Sequence, residues 1–286
     1  QLQFIPINLR FFFNDPSGAF KYDLFALLNY DKQLTDGLFL NTSVRGTWSE
    51  NVSDVTQPSN SELPHVRSDI AEYMRDRGVI SLNRLLLNKY YQIASEWYGR
   101  GSLGYYEQMY GGAGGQVLYM PVNRDWAVDL SVDALQQRSP QSAFGFRDYS
   151  VVTAIGAFHY RFPSVGVTTT VRAGRFLAKD EGARFEIKRR FRSGVEAGAW
   201  YTITNANDTQ PPGSPDDPYR DKGLFISIPL SSMLTRDTQQ RSTIAIVDFT
   251  RDVGQMVESP GDLYRQMEER LLFDRSDYGP FADFAK

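Results

Sequence analysis

Segments of about ten residues, in which apolar side chains alternate with polar or small ones, recur along most of this chain. Between Val165 and Ala173, for example, one set of alternate residues is Val, Thr and Ala, and the other is Gly, Thr and Arg. This period of two is typical of a β-strand with two different faces. The segments predict an all-β protein with about 12 to 14 strands and very little helix.

Two architectures produce strands of this kind. A soluble sandwich or barrel turns its apolar face inward, whereas a transmembrane antiparallel β-barrel turns it outward. The polar faces here carry Arg, Asp, Glu, Ser, Thr and Gly, which suit a crowded lumen where opposite charges pair across strands. Aromatic residues near the segment ends match a girdle at the lipid boundary; they are Tyr30, Trp48, Tyr105, Trp126, Tyr160, Phe162 and Tyr201. The pattern favours the membrane barrel over the soluble alternative.

Charge and composition exclude several classes of protein. With 31 basic and 34 acidic residues the net charge is −3, which lacks the positive surface of a nucleic-acid binder. The chain has no Cys and only two His, so disulfides and thiolate metal sites are excluded and we expect neither a metal nor a cofactor. No apolar stretch of about 18 residues is present, which excludes a transmembrane helix.

The connections between segments predict the domain organisation. Residues 1–250 form the barrel domain, in which 49–78 is a long loop with a short helix, and residues 251–286 form a tail with a second short helix. Ser68 and Asp69 precede the first helix, which we expect to run to Arg77. The second helix is expected from Ser259 to Phe273, with its apolar residues aligned on one side.

Three connections are long, namely 49–78, 137–149 and 205–222. Alternating strand directions predict that all three lie at the same end of the barrel, as long extracellular loops do. The same count leaves the C-terminus at that end, although such barrels normally end in the periplasm. Either one strand is misassigned or further strands lie outside this chain.

Carboxylates and a histidine on the polar strand faces could form a catalytic site of one of two kinds, or could have a purely structural role. A glycosidase uses two carboxylates, and four candidates lie on the polar faces: Asp129, Asp133, Glu186 and Glu196. A hydrolase pairs His with a hydroxyl nucleophile, and His159 has Ser131 and Thr153 nearby in the pattern. Because Arg and Lys are interleaved with these carboxylates, ion pairs in the lumen are the favoured interpretation, and we expect no catalytic residue.

Several short motifs, taken together and in order, resemble those of a known family. They are LPHVRSDIAEY at 63–73, LLLN at 85–88, GGAGGQVLY at 111–119, FRDYSV at 146–151, RAGRFLA at 172–178, GAW at 198–200 and DKGLFISIP at 221–229. The set is similar to the YjbH (GfcD-like) family of Gram-negative outer-membrane proteins linked to exopolysaccharide and capsule production. The resemblance runs from about Asn14 to Gly254.

The resemblance implies a function that the strand pattern alone does not give. It implies a β-barrel in the outer membrane that works with periplasmic and lipoprotein partners in the export or assembly of an extracellular polysaccharide. Family members are usually longer, and this chain resembles their C-terminal part, so further strands of the precursor are expected partners as well. No catalytic residue carries over from the family, so the resemblance implies a protein that is not an enzyme.

Charged residues predicted to face the lumen are the candidate residues of the polysaccharide path. They are Arg10, Arg45, Arg100, Asp129, Asp133, Arg161, Arg172, Glu186, Lys188, Arg190 and Arg192. With Lys21, Asp23, Glu96 and Glu196 added, the predicted lumen holds nine basic and six acidic residues. A basic excess favours anionic solutes such as acidic polysaccharides. The alternative is that the interior charges only neutralise one another.

Overall fold

The computed structural model describes residues 1–13, 18, 20–211, 213–230, 241–248 and 252–268. Among them lie helix α1 (Ile70–Arg77), a helical stretch at 263–268 and thirteen β-strands. The strands are β1 (Leu2–Phe13), β2 (Phe20–Thr35), β3 (Leu38–Glu50), β4 (Ile80–Ala94), β5 (Trp97–Tyr105), β6 (Tyr110–Tyr119), β7 (Trp126–Arg138), β8 (Phe146–Phe162), β9 (Val167–Arg175), β10 (Glu181–Arg190), β11 (Glu196–Thr204), β12 (Lys222–Pro229) and β13 (Arg241–Asp248).

The strands form one closed barrel, which confirms the all-β prediction and its strand number. Each strand pairs with its neighbours in sequence in antiparallel fashion, and β1 closes the barrel against β13. That closing pair is parallel, with Leu9 beside Ile244 and Phe13 beside Asp248. The prediction of an antiparallel barrel therefore holds for every strand pair except this seam, because an odd number of strands makes the first and last run in the same direction.

The three connections predicted to be long do lie at one end of the barrel, which we call the loop end. The second is shorter than predicted, because β7 runs to Arg138 and β8 begins at Phe146. The opposite end, the turn end, carries tight connections such as Asp36–Gly37 and Pro163–Gly166. Gly37 has a φ of 66°, and a Cβ there would lie 2.3 Å from the carbonyl oxygen of Tyr90. Only glycine therefore fits this turn without strain.

The outer surface of the barrel is apolar. Leu130, Val132 and Phe158 face outward and are 44–54% exposed, while the alternate residue His159 faces the lumen and is 1% exposed. The outward aromatic residues form two belts. The loop-end belt holds Phe13, Phe20, Trp48, Tyr105, Phe146 and Tyr201, and the turn-end belt holds Tyr30, Trp97, Tyr119, Trp126, Tyr160 and Phe162. An apolar band between two aromatic belts is the exterior of a transmembrane β-barrel.

The part of the lumen near the loop end is filled by the loop between β3 and β4. Helix α1 begins and ends as predicted, and its residues Ile70, Tyr73 and Met74 are buried. They pack with inward residues of the barrel wall, including Leu86 and Tyr110. No helix in the described part of the chain is long and apolar enough to cross a membrane.

The lumen also contains residues 252–268, which we call the C-terminal segment. Strand β13 ends at the loop end, as the strand count predicts, and residues 252–268 run inside the lumen from the loop end towards the turn end. Gly254 contacts Asp180 near the loop end, and Glu268 contacts Lys188 near the turn end. The helical stretch begins at residue 263 and not at Ser259, and residues 269–273 of the predicted helix lie outside the described residues.

Candidate functional site

Most of the predicted lumen charges face the lumen and are paired with charges of opposite sign. Between β1 and β3, Arg10 Nη2 lies 2.7 Å from Asp23 Oδ2, and Arg45 donates to the other oxygen of the same carboxylate. Asp23 is completely buried. Two guanidinium groups on one carboxylate compensate the cost of burying these charges, so this cluster is structural.

A second group of pairs lies on β9, β10 and β11. Arg172 Nη1 is 3.1 Å from Glu186 Oε2, and Arg190 Nη1 is 3.5 Å from Glu196 Oε1. Lys188 pairs with Glu268 of the C-terminal segment at 2.6 Å. Arg172, Lys188 and Arg190 are therefore bound to carboxylates.

Two positions predicted to face the lumen lie elsewhere. Arg192 is exposed in the turn after β10, where the alternation of the strand no longer applies. Glu96 lies in the turn between β4 and β5 with a φ of 65°, and it accepts hydrogen bonds from Tyr119 and the backbone of Val122. The predicted lumen residue Arg161 lies near the turn end of β8, where it pairs with Asp125 at 3.0 Å.

His159 has neighbours on both ring nitrogens and on one face. Its Nε2 lies 2.7 Å from Asp129 Oδ2, and its Nδ1 lies 3.0 Å from Thr170 Oγ1. The ring of Tyr264 stacks on the imidazole with 3.6 Å between centroids and an interplanar angle of 9°. The hydroxyl beside His159 thus belongs to Thr170 and not to Ser131 or Thr153, which bond to backbone oxygens.

Further polar side chains of the wall hold the C-terminal segment. Arg100 donates to the carbonyl oxygen of Pro260 at 3.0 Å and to Ser259 Oγ at 2.6 Å. Gln116 donates to Asp262 Oδ2 at 2.8 Å and accepts from the backbone N–H of Leu263 at 2.8 Å. The strand pattern predicts Arg100 as a lumen residue, but it predicts neither Gln116 nor this contact.

A salt-bridge cluster anchors helix α1 at the loop end. Arg147 of β8 lies 2.8 Å from Asp69 Oδ2 and also binds Glu72. His65 Nδ1 is 3.1 Å from the other oxygen of Asp69. Burial and the adjacent Glu72 carboxylate raise the pKa of Asp69 above its ordinary value, despite the opposing effect of His65 and Arg147.

A cavity of about 350 Å³ lies between the C-terminal segment and the wall from β7 to β13. Among the described residues, four basic side chains line it: Arg172, Arg175, Lys188 and Arg265. Six acidic side chains line it: Asp129, Asp133, Glu186, Glu196, Asp262 and Glu268. The cavity therefore lacks the basic excess that the residue count of the whole lumen predicts.

Asp133, a carboxylate of the cavity wall, is bound by the Tyr106 hydroxyl, 3.0 Å away. Residues that could hold a metal ion do not cluster anywhere in the described ranges.

Comparison with known proteins points to one family. The family model for the exopolysaccharide biosynthesis protein YbjH matches residues 2–269. The uncharacterized lipoprotein YjbH of Escherichia coli (strain K12) is 34% identical in an alignment of 265 residues that covers 90% of this chain and 37% of that protein. The chain thus spans little more than a third of the length of this relative.

Among solved structures, the chain is similar to OmpT, an outer membrane protein of Vibrio cholerae that was folded in vitro. The identity is 12% and the TM-score 0.32, over 79% of this chain and 80% of that one. The fold assignment depends on the strand pairing and the outer surface, and not on this likeness.

Proposed function

Because the chain belongs to the YjbH family of exopolysaccharide biosynthesis proteins, we propose that it is an outer-membrane β-barrel without enzymatic activity. In this proposal it helps export or assemble an extracellular polysaccharide, either an exopolysaccharide or a capsule. The polymer, the lipids of the outer membrane, and periplasmic and lipoprotein components of the same system are its proposed partners. Further strands or domains of a longer protein are a proposed partner too, since the Escherichia coli relative is much longer.

The apolar outer surface between two aromatic belts is the observation that carries this proposal. In a soluble periplasmic protein, this apolar surface, which includes Leu130 and Phe158, would be exposed to water all around the barrel. A bilayer covers such a surface, and its headgroup region accommodates the aromatic belts. The long connections at the loop end support an orientation in which that end is extracellular.

The arrangement around His159 supports the non-enzymatic part of the proposal. A hydroxyl, an imidazole and a carboxylate do meet there, as in a hydrolase. The ring of Tyr264 covers the imidazole, however, and Thr170 is 5% exposed. A nucleophile must reach its substrate, so these contacts favour a role in holding the C-terminal segment.

Deletion of the gene and complementation test the proposal. We expect the deletion to lower the amount of secreted polysaccharide, and the wild-type gene to restore it. The protein should require detergent for extraction and should migrate faster on a gel in cold SDS than after boiling, because a closed barrel resists cold SDS. Extraction in plain buffer, or unchanged polysaccharide after deletion, would contradict the proposal. A purified protein that hydrolyses lipid or polysaccharide, with activity lost in H159A, would overturn the non-enzymatic part.

A further inference from the structure

The cavity beside the C-terminal segment has the chemistry of a sugar site that does not accept acidic sugars. We propose that it binds a short stretch of polysaccharide whose sugar residues carry no carboxylate. The proposal rests on the proposed function, because it names which part of a polysaccharide the barrel would contact. It concerns the wall from β7 to β13 and the inner side of residues 252–268.

Charge is the first argument. The Arg172 guanidinium is bound to Glu186, and the Lys188 ammonium is bound to Glu268. Six acidic and four basic residues line the cavity, and Arg190 and Arg241 pair with Glu196 from behind the lining, so the acidic and basic groups of the site balance one another. A sugar carboxylate would add a negative charge to this balanced set. To bind Arg172 or Lys188 it would have to displace Glu186 or Glu268, and displacing Glu268 leaves a buried carboxylate without its partner. A neutral sugar adds no charge, and its hydroxyl groups can donate to the carboxylates that are present.

The surface of the cavity is the second argument. The rings of Phe225 and Tyr264 line it, together with hydroxyl groups such as those of Ser131 and Thr243. A sugar ring has apolar C–H faces and a rim of hydroxyl groups, so it needs both kinds of surface. A volume of about 350 Å³ lies within the usual range for small-molecule sites.

Two alanines on β8 offer a matched pair of variants. Ala157 lines the cavity between Asp129 and Arg172 of the neighbouring strands. Ala154 lies three residues earlier and is exposed on the outer surface. A157F therefore fills the cavity, whereas A154F adds the same ring where the bilayer takes it up. S131Y is a second filling variant, which keeps the test valid if A157F fails to fold as a barrel, and cold-SDS migration is checked for each.

The probe consists of acidic oligosaccharides from the host's own exopolysaccharide, prepared by partial hydrolysis and anion exchange. One half is used unchanged, and the carboxylates of the other half are reduced to alcohols. Calorimetry with the full chain in detergent should show at least tenfold tighter binding of the reduced oligosaccharides. A157F and S131Y should lose that binding at least tenfold, while A154F should retain it.

The outcomes separate this proposal from the proposed function. Tighter binding of the unreduced oligosaccharides, binding of neither form, or wild-type binding by both folded filling variants would overturn the cavity proposal alone. Polysaccharide secretion that does not depend on the gene would overturn the proposed function, whatever the calorimetry shows.

Discussion

At the scale of single residues, Tyr264 joins the C-terminal segment to the barrel wall. Its ring is 7% exposed and lies against His159, so Y264A removes an aromatic contact and leaves a cavity. We expect Y264A to lower the free energy of unfolding by about 3 kcal/mol. Y264F keeps the ring and should cost only about 1 kcal/mol, since it loses the hydrogen bond between the Tyr264 hydroxyl and Thr168. Urea unfolding in detergent measures both, and equal losses in the two variants would contradict a role for the ring.

Asp69 gives a prediction about pH. Its pKa is raised above 3.8 in the folded protein, so the folded state binds a proton more readily than the unfolded state. The stability that this group contributes is present in full below pH 3.8 and is lost as the pH rises through the raised pKa. Relative to D69N, which cannot titrate, the wild type should therefore gain stability as the pH falls from 7 towards 4.

The measurement is the difference in unfolding free energy between wild type and D69N at several pH values. D148N is a suitable control, because Asp148 is exposed on the neighbouring β8. If the unfolding free energy of the wild type instead increased relative to that of D69N as the pH rises, the raised pKa would be contradicted.

At the scale of elements, each strand has one lipid face and one lumen face, and thiol labelling distinguishes them. The chain has no native Cys, so single Cys substitutions are clean probes. Cys at Val132 or Phe158 should react with a maleimide dissolved in the bilayer and resist a water-soluble one. Cys at the cavity-lining positions Ser131 and Arg172 should show the opposite preference. Outward thiols that neither reagent reaches would indicate a protein core in place of lipid.

The strands could be predicted from sequence because alternation depends only on neighbouring residues. Strand β4 shows where this reasoning stops, since Leu85, Leu86 and Leu87 leave it apolar on both faces. The structure gives the reason: Leu86 is completely buried and packs in the cluster that helix α1 forms inside the lumen. A wall residue that contacts a loop folded inward has no signal in its own segment.

The lumen site was predictable only in part, for the same reason. The inward charges of β9 and β10 follow from alternation, but their partner Glu268 lies 80 residues from Lys188. Leu263 and Met267 form an apolar stripe on the short C-terminal helix, which indicates that the helix packs against something. It does not indicate that the partner is the inside of the barrel, so the cavity could not be predicted.

At the scale of the whole molecule, two inserted pieces of chain fill the lumen, and they are held differently. The loop between β3 and β4 is held by a large apolar cluster and by the salt bridges of Arg147. The C-terminal segment is held by a much smaller apolar cluster at Leu263 and Tyr264 and by polar contacts along its length. A chain truncated after residue 251 should therefore still fold and should conduct ions when reconstituted in a planar bilayer. A chain truncated after residue 268 keeps the segment and should conduct much less. Equal conductance of the two would show that the segment does not block the lumen.

The parallel seam between β1 and β13 has a consequence for the order of assembly. Every other strand pair joins neighbours in sequence, whereas the seam joins residues as distant as Leu9 and Ile244. The entropy lost on closing so long a loop makes such contacts slow to form, so local hairpins should precede the seam on the folding pathway. Until then the sheet is an open trough, and the C-terminal segment can be laid into it sideways. Once the seam closes, the only routes left for that segment are the two mouths of the barrel.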